Sequence, residues 1–189
     1  MALTLPIRSK KDIRKLEAYY LTRGELRNHL LVVMSIHTVL RISNLLRLTW
    51  QDVYDFDLKR FRKYVTLKEN KTQKIKIFPI NNKIISALKR CFSLSKKGNF
   101  LFQSRKGGAI GRIQAYRIIK AAALSLNFPY RVSCHSLRKT FGYMAWKSGI
   151  SLAVIMEIYN HSNFSVTRRY LGITQDDTDE AYHKIASFL

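Results

Sequence analysis

The sequence predicts a mainly α-helical fold with a small antiparallel β-sheet, which places the chain in the α+β class. Apolar residues recur at helical spacing through most of the chain, whereas residues 54–80 are rich in β-branched and aromatic side chains. The chain has 189 residues, 47% of them hydrophobic, so it can bury one core without disulfides or metal ions. We therefore expect a single domain.

Two helices are predicted near the N-terminus. Ser9 followed by Asp12 resembles a capping box, and apolar residues then recur at helical spacing over residues 10–22. Gly24 separates this helix from a strongly apolar one over residues 26–40. We expect the second helix to lie in the core and to end close to Arg41.

The middle of the chain predicts a change from helix to sheet. Residues 42–48 predict a short helix, and the β-rich stretch follows it. Within that stretch, residues 64–67 and 75–78 have strand character, and the polar run Glu69-Asn70-Lys71-Thr72 lies between them. This pattern predicts an antiparallel hairpin with a basic tip.

Six further helices are predicted after the sheet, with loops at residues 96–99 and 106–108. They are expected at about 82–95, 111–126, 136–148, 151–159, 163–170 and 177–188. Residues 171–189 contain four acidic residues and one lysine, a net charge of −3 that leaves +25 on the rest of a chain whose total is +22. We do not expect this acidic tail to bind the same polyanion as the rest.

The charge of the chain indicates a polyanion as partner. Lys and Arg number 34 against 12 Asp and Glu, and they are spread from Arg8 to Arg169 through an otherwise hydrophobic sequence. This distribution is typical of a folded domain with a polyanion-binding face. A merely solvated basic surface is the alternative. Membrane binding is a weaker one, because no segment combines a basic face with a broad apolar one.

Composition also restricts the compartment and the class of cofactor. Cys91 and Cys134 are far apart and in no zinc-ligand spacing, which argues against a zinc site or an extracellular disulfide scaffold. No apolar run approaches the roughly 20 residues that span a bilayer, and the N-terminus lacks the apolar segment of a signal peptide. We expect a soluble protein in a reducing cytoplasm.

Four residues in the C-terminal part predict chemistry on a phosphodiester: His135, Arg138, His161 and Tyr170. Cleavage of this bond needs a nucleophile, positive charge on the non-bridging oxygens and a proton for the leaving oxygen. Tyr170 can be the nucleophile, and a guanidinium matches a phosphate with a planar, permanently charged fork. Arg41 is a second candidate arginine, and the histidines can donate hydrogen bonds or exchange protons.

The spacing of these residues resembles that of the tyrosine recombinase, or phage integrase, family. Residues 135–142, HSLRKTFG, resemble its His-x-Leu-Arg box, and residues 160–170 resemble its Gly-His-Ser box that ends in tyrosine. Residues 38–52 resemble its first arginine box. Residues 68–79 resemble the hairpin that carries its catalytic lysine. The similarity extends over about residues 10–175.

The resemblance implies a role for each matching residue. Tyr170 would form a 3′-phosphotyrosyl link, Arg41 and Arg138 would stabilise the phosphorane, and Lys71 would protonate the departing 5′ hydroxyl. The histidines would assist by proton exchange or hydrogen bonds. The implied catalytic set is Arg41, Lys71, His135, Arg138, His161 and Tyr170. The covalent link conserves the energy of the phosphodiester, so no ATP, metal or other cofactor is expected.

The chain also departs from the family pattern. Val39 and Asn160 stand where the family often has glycine, and Asn44 stands where it often has an acidic residue. Asn tolerates a left-handed backbone well, so we expect the turn before His161 to persist. For the lysine, Lys68 and Lys74 are alternatives to Lys71 on the same hairpin.

The resemblance further implies a domain organisation. We expect residues 1–189 to be a single catalytic domain similar in size to the recombinases that invert fimbrial switches. The N-terminal DNA-clamping (core-binding) domain of most members is expected to be absent, either naturally or by truncation. Residues 171–189 are expected to form a C-terminal tail with an amphipathic helix that docks on its own core or on a neighbouring subunit.

The function that follows is site-specific recombination of double-stranded DNA by a homo-oligomer, expected as a tetramer on two DNA sites. Accessory DNA-bending proteins are further expected partners, and a bacterial or phage origin with nucleoid association is expected. The alternative is a DNA-binding regulator on the same scaffold with little or no catalysis. A metal-dependent nuclease is disfavoured because no carboxylate cluster accompanies the histidines. Integration, excision and inversion remain equally open.

Overall fold

The computed structural model describes residues 4–70, 73–92 and 100–188. Over these residues the chain forms ten α-helices and two antiparallel sheets of two strands each. The predicted class, mainly helical with a small antiparallel sheet, is confirmed. None of the helices in the described ranges is long and apolar enough to cross a membrane.

The first helix, α1 (Lys10–Leu21), begins where it was predicted to begin. Ser9 Oγ accepts a hydrogen bond from the backbone N–H of Asp12 at 3.1 Å, as expected for an N-cap. The return bond of a capping box is missing, because the Asp12 carboxylate instead accepts the hydroxyl of Tyr130 at 2.7 Å. The predicted box is therefore only half formed.

The core helix α2 (Leu26–His37) ends three residues earlier than the sequence predicts. Val39 adopts a left-handed backbone with φ 57°, which a right-handed helix cannot continue through. The next helix, α3 (Ile42–Leu45), is a single turn that Arg41 precedes in extended conformation. This turn between α2 and α3 places Arg41 at a helix start.

The helix α4 (Trp50–Val53) was not predicted. The backbone N–H and the hydroxyl of Thr49 both donate to the Asp52 carboxylate, at 2.7 and 2.8 Å, and complete a capping box. The sequence signal was the Thr-x-x-Asp spacing, which marks helix starts.

The β-rich stretch forms two hairpins instead of one sheet. The strands β1 (Tyr54–Asp55) and β2 (Arg60–Phe61) form a minimal pair. The predicted hairpin consists of β3 (Tyr64–Lys68) and β4 (Ile75–Pro79), with Val65 opposite Phe78. Alternate residues of this hairpin face the core, as the period of a strand requires.

The six C-terminal helices are present as predicted, and the ends that lie within the described residues shift by at most two residues. They are α5 (Asn82–Phe92), α6 (Arg112–Ser125), α7 (Cys134–Lys147), α8 (Leu152–Tyr159), α9 (Phe164–Leu171) and α10 (Gln175–Ala186). Helix α7 begins two residues early because Ser133 Oγ caps it by accepting from the N–H of Ser136 at 3.2 Å. The predicted end of α5 and the loop at residues 96–99 lie outside the described residues.

The core is divided into two clusters of buried side chains. The larger one surrounds α2, which packs against α1, α5 and α7. The smaller one lies between the second half of α7 and helices α8 and α9. Its buried members are Val39, Ala145, Ile155, Tyr159 and Leu171. The predicted site residues lie along the edge of this smaller cluster.

Candidate active site

Five of the six predicted catalytic residues converge on one place. His135 and Arg138 lie in the first two turns of α7, His161 directly follows α8, and Tyr170 lies in the last turn of α9. The Tyr170 ring meets both histidine rings edge-on, with centroid distances of 4.9 Å to His135 and 4.7 Å to His161. The sixth residue, Lys71, lies outside the described residues, so its role stays a prediction.

Arg138 carries a buried guanidinium beside Tyr170. Only 2% of its surface is exposed, and its guanidinium carbon lies 5.7 Å from the centre of the Tyr170 ring. No acceptor among the described residues is hydrogen-bonded to any of its three guanidinium nitrogens. Burial and the neighbouring Arg41 lower its pKa. Because an unpaired buried charge is costly, this guanidinium forms an incomplete site that an anion would complete.

Arg41 belongs to the same electrostatic group. It is one of the cations that lower the pKa values of His135, Arg138 and His161, although desolvation is the larger cause for each of them. Its Nη1 donates to Glu69 Oε2 at 2.8 Å, and 26% of its side chain remains exposed. The guanidinium is therefore anchored on one side and open to solvent on the other.

Both site histidines are neutral at pH 7. Desolvation, followed by repulsion from Lys139, Arg138 and Arg41, lowers the pKa of His135 to about 4, even though the residue is exposed. Desolvation and repulsion from Arg138 and Arg41 likewise lower the pKa of His161 to about 4. Neutral imidazoles can accept a proton from the Tyr170 hydroxyl.

The position of His161 is fixed from several sides. Its Nδ1 lies 3.1 Å from the hydroxyl of the buried Thr167, and its ring stacks on Tyr159 at a centroid distance of 5.1 Å. Asn160 ends α8 in the left-handed conformation, with φ 56° and ψ 37°. The prediction that asparagine sustains this turn is confirmed.

Tyr159 is a site residue that the sequence did not reveal. It is fully buried, and its hydroxyl donates to the backbone carbonyl of Arg138 at 2.6 Å and accepts the N–H of Gly142 at 3.0 Å. A Cβ at Gly142 would lie 2.7 Å from that hydroxyl, so the close approach of α7 and α8 requires glycine. The only signal was the position of Tyr159 two residues before a predicted site histidine.

A second missed residue is Lys76, on the inner face of β4. It is 5% exposed, its Nζ donates to the Ile158 carbonyl near the end of α8, and burial lowers its pKa to about 8. It ties the hairpin to the helix that precedes His161. The sequence could not single out Lys76, because it is one of several lysines in a basic hairpin. Of the others, Lys68 and Lys74 are exposed.

The site does not have the composition of a metal centre. Within the described ranges, no three His, Cys, Asp or Glu side chains are close enough together to hold a metal ion. The groups that do converge are two arginines, two imidazoles and a phenol. This donor set suits a phosphate better than a divalent cation.

The sequence of the chain matches one family model and a curated relative over nearly its whole length. A family model described as "Phage integrase family" matches residues 9–176. A curated relative, the "Probable integrase/recombinase YoeC" of Bacillus subtilis, is 34% identical over 183 residues, which cover 96% of this chain and 97% of the relative.

Solved structures show the same fold at lower identity. The XerA recombinase superposes with a TM-score of 0.78 at 19% identity, over 97% of this chain and 66% of that one. The XerH site-specific recombinase, bound to a palindromic difH substrate after cleavage, has a TM-score of 0.74 at 19% identity, over 96% of this chain and 53% of that one. The chain thus spans half to two thirds of these two proteins.

Proposed function

Because the chain belongs to the phage integrase family of tyrosine recombinases, we propose that it is a site-specific DNA recombinase whose nucleophile is Tyr170. The observation that carries the proposal is the buried guanidinium of Arg138, which has no acceptor among the described residues and lies 5.7 Å from the Tyr170 ring. A phosphate placed there would supply the missing anion and lie beside the phenol.

In the proposed cleavage step, Tyr170 Oη attacks the scissile phosphorus and forms a new P–O bond. The bond from phosphorus to the 5′ oxygen breaks, and the strand keeps a 3′-phosphotyrosyl link. The phenol proton passes to one of the neutral histidines, His135 or His161, and the departing 5′ oxygen takes a proton from Lys71. Protons and bonds balance without a further reactant.

The two arginines stabilise the charge that develops during this step. Arg41 and Arg138 offer guanidinium N–H groups to the non-bridging oxygens, where negative charge accumulates in the phosphorane. The attack of a different 5′ hydroxyl on the phosphotyrosine then reverses the step and joins exchanged strands. One phosphodiester is exchanged for another, so no external energy source is needed.

The proposed substrate is double-stranded DNA, and the proposed acting form is a homo-oligomer, a tetramer on two sites in the bacterial cytoplasm. The net charge of +22 supports a polyanionic partner. The proposed subunit contact is the far half of α10 with the turn that follows it, where Tyr182, Ile185 and Phe188 are 77%, 57% and 86% exposed. An apolar stripe on an exposed terminal helix suits docking on a second copy.

The decisive experiment is covalent capture of a nicked suicide substrate, which traps the phosphotyrosyl link after cleavage. We expect Tyr170→Phe to abolish the adduct and to change duplex affinity less than about threefold, since the phenylalanine keeps the ring packing. Tyr64→Phe, at an exposed position of the hairpin away from the site, is the matched control and should form adduct at the rate of the unaltered protein.

Two results would contradict the proposal. Undiminished capture by Tyr170→Phe would remove Tyr170 as nucleophile. A site-specific footprint of the unaltered protein without nicking or adduct would favour the alternative, a DNA-binding regulator without catalysis.

A further inference from the structure

Glu69 brings a buried carboxylate into an otherwise cationic site. It directly follows β3, its side chain has no exposed surface, and its Oε2 accepts Arg41 Nη1 at 2.8 Å. The pair joins residues that are 28 positions apart in sequence. A charge-assisted hydrogen bond to a fully buried carboxylate fixes both the position and the orientation of the guanidinium that donates it.

The influence of Glu69 extends beyond this one arginine. Burial lowers the pKa of Lys76 to about 8, and Glu69 acts in the opposite direction. It acts in the same upward direction on the pKa values of Arg138 and His161, which burial lowers. One carboxylate therefore acts as counterion to the cations Arg41, Lys76 and Arg138, which we call the cationic cluster.

The backbone beside Glu69 is attached to the same helix that Arg41 precedes. The N–H of Asn70 donates to Asn44 Oδ1 at 3.3 Å, and the Asn70 side chain accepts a hydrogen bond from Arg47. Asn44 is neutral and buried, so α3 brings no charge of its own to this contact. The carboxylate that pairs with Arg41 therefore comes from the hairpin.

We propose that Glu69 is a positioning residue for strand cleavage: it holds Arg41 so that the open side of the guanidinium meets the scissile phosphate, and it offsets the repulsion within the cationic cluster. This inference rests on the proposed function. Without the carboxylate, Arg41 would lose its anchor and the cluster would lose its counterion. The remaining cations would then repel Arg41 from the phosphate site.

The test replaces Glu69 by glutamine, which keeps the volume and removes the charge. We expect Glu69→Gln to capture the suicide substrate about tenfold to a hundredfold more slowly at saturating DNA, the effect of losing one charged hydrogen bond. The control is Glu17→Gln, which removes another buried glutamate that pairs with His37 and Lys83 outside the site. Its capture rate should equal that of the unaltered protein.

A second readout separates positioning from a merely structural role. The titration of Lys76, followed by side-chain NMR, should move to lower pH in Glu69→Gln and stay in place in Glu17→Gln. Capture by Glu69→Gln at the unaltered rate would overturn the inference. A slower rate with an unmoved Lys76 titration and a lower unfolding temperature would also overturn it, because Glu69 would then only stabilise the fold.

The unaltered protein, assayed in parallel, keeps the two proposals apart. If it forms no adduct, the proposed function fails whatever Glu69 does. If it forms adduct and Glu69→Gln forms it equally fast, only the role of Glu69 fails.

Discussion

At the scale of single residues, the site depends on groups held in unusual protonation or pairing states. His161 stays neutral because it is desolvated and lies near Arg138 and Arg41. Arg138 stays charged without an acceptor among the described residues. The unpaired guanidinium costs stability in the free protein, and a bound phosphate would relieve this cost by pairing with it and would also favour the protonated imidazole.

This arrangement predicts a pH dependence of stability. The pKa of His161 is about 4 in the folded protein against an ordinary value of 6.5, so the unfolded chain binds a proton over this range while the folded protein does not. Stability should therefore decrease as the pH falls from about 6.5 towards 4. Urea unfolding at pH 7, 6 and 5 would measure this decrease.

Glutamine at position 161 should reduce that decrease but not abolish it, because His135, whose pKa is also lowered to about 4, remains. His183→Gln, at an exposed position on α10, is the matched control and should keep the slope of the unaltered protein. An identical slope in His161→Gln and the unaltered protein would contradict the assignment.

The sequence predicted residues that the structure brings together, but it did not reveal the residues that support them. The spacing of His135, Arg138, His161 and Tyr170 was visible in the sequence through its resemblance to the tyrosine recombinase family. Glu69 and Tyr159 have ordinary side chains whose importance comes from contacts with Arg41 and Arg138. The Glu69 contact spans two distant segments, which only the tertiary structure brings together.

At the scale of secondary-structure elements, the turn between α2 and α3 decides where Arg41 lies. Val39 occupies a left-handed conformation with φ 57°, which a β-branched residue rarely adopts, and it is 1% exposed. The sequence marked this position only as a departure from glycine. The structure shows a positive φ at this position, which glycine adopts without strain.

Because of this turn, we expect glycine to be more stable than alanine at position 39, which is the reverse of their order in a helix. Val39→Gly and Val39→Ala both lose buried side-chain atoms, but only glycine relieves the left-handed strain. We expect the glycine variant to be the more stable of the two by about 1 kcal/mol. Chemical denaturation of both variants would measure the difference.

The matched control is Val33, which is 3% exposed in the interior of α2. There the usual order should hold, with Val33→Gly less stable than Val33→Ala by about 1 kcal/mol or more. An alanine variant more stable than the glycine variant at position 39 would show that the turn carries no strain.

Helices and the hairpin were predictable because their signals are local. Apolar periodicity and the strand-like runs around residues 64–79 set them, and they appear within a few residues of the predicted bounds. The ends were less predictable, because caps such as Ser133 and the strained turn at Val39 depend on single hydrogen bonds and backbone angles. The helix α4 has only one turn, so its apolar residues cannot repeat at helical spacing.

At the scale of the whole molecule, α10 is attached at one end and exposed at the other. The Asp177 carboxylate lies 3.5 Å from Arg8 and 3.5 Å from Lys147, which ties the first turn of the helix to its own subunit. Tyr182, Ile185 and Phe188 beyond it are exposed, so they do not pack on their own core. Docking of the far half of α10 on a neighbouring subunit stays a proposal.

Because the exposed apolar side chains of this segment form the proposed subunit contact, their removal should weaken assembly on DNA. Replacing Tyr182, Ile185 and Phe188 together by serine should reduce the assembly on paired DNA sites to monomers and dimers. Light scattering of the DNA complexes would measure their mass, and capture on a single site should persist. Replacing Gln175 and His183 on the same helix by serine is the control and should leave the mass unchanged.

Two results would contradict the proposed subunit contact or the oligomer itself. A serine-substituted protein that assembles on DNA as the unaltered protein does would place the subunit contact elsewhere. An unaltered protein that remains monomeric on paired sites would contradict the proposed oligomer itself.

The Tyr159 hydroxyl between Arg138 and Gly142 has a consequence for protein engineering. The Tyr159 hydroxyl is hydrogen-bonded to the backbone of α7, the helix that carries Arg138. The Tyr159 ring stacks on His161 and meets Tyr170 at a centroid distance of 5.4 Å. A designer who transplanted only the reactive side chains to another scaffold would leave them without this common support. The smallest portable unit of the site therefore includes a tyrosine and a glycine that take no part in the chemistry.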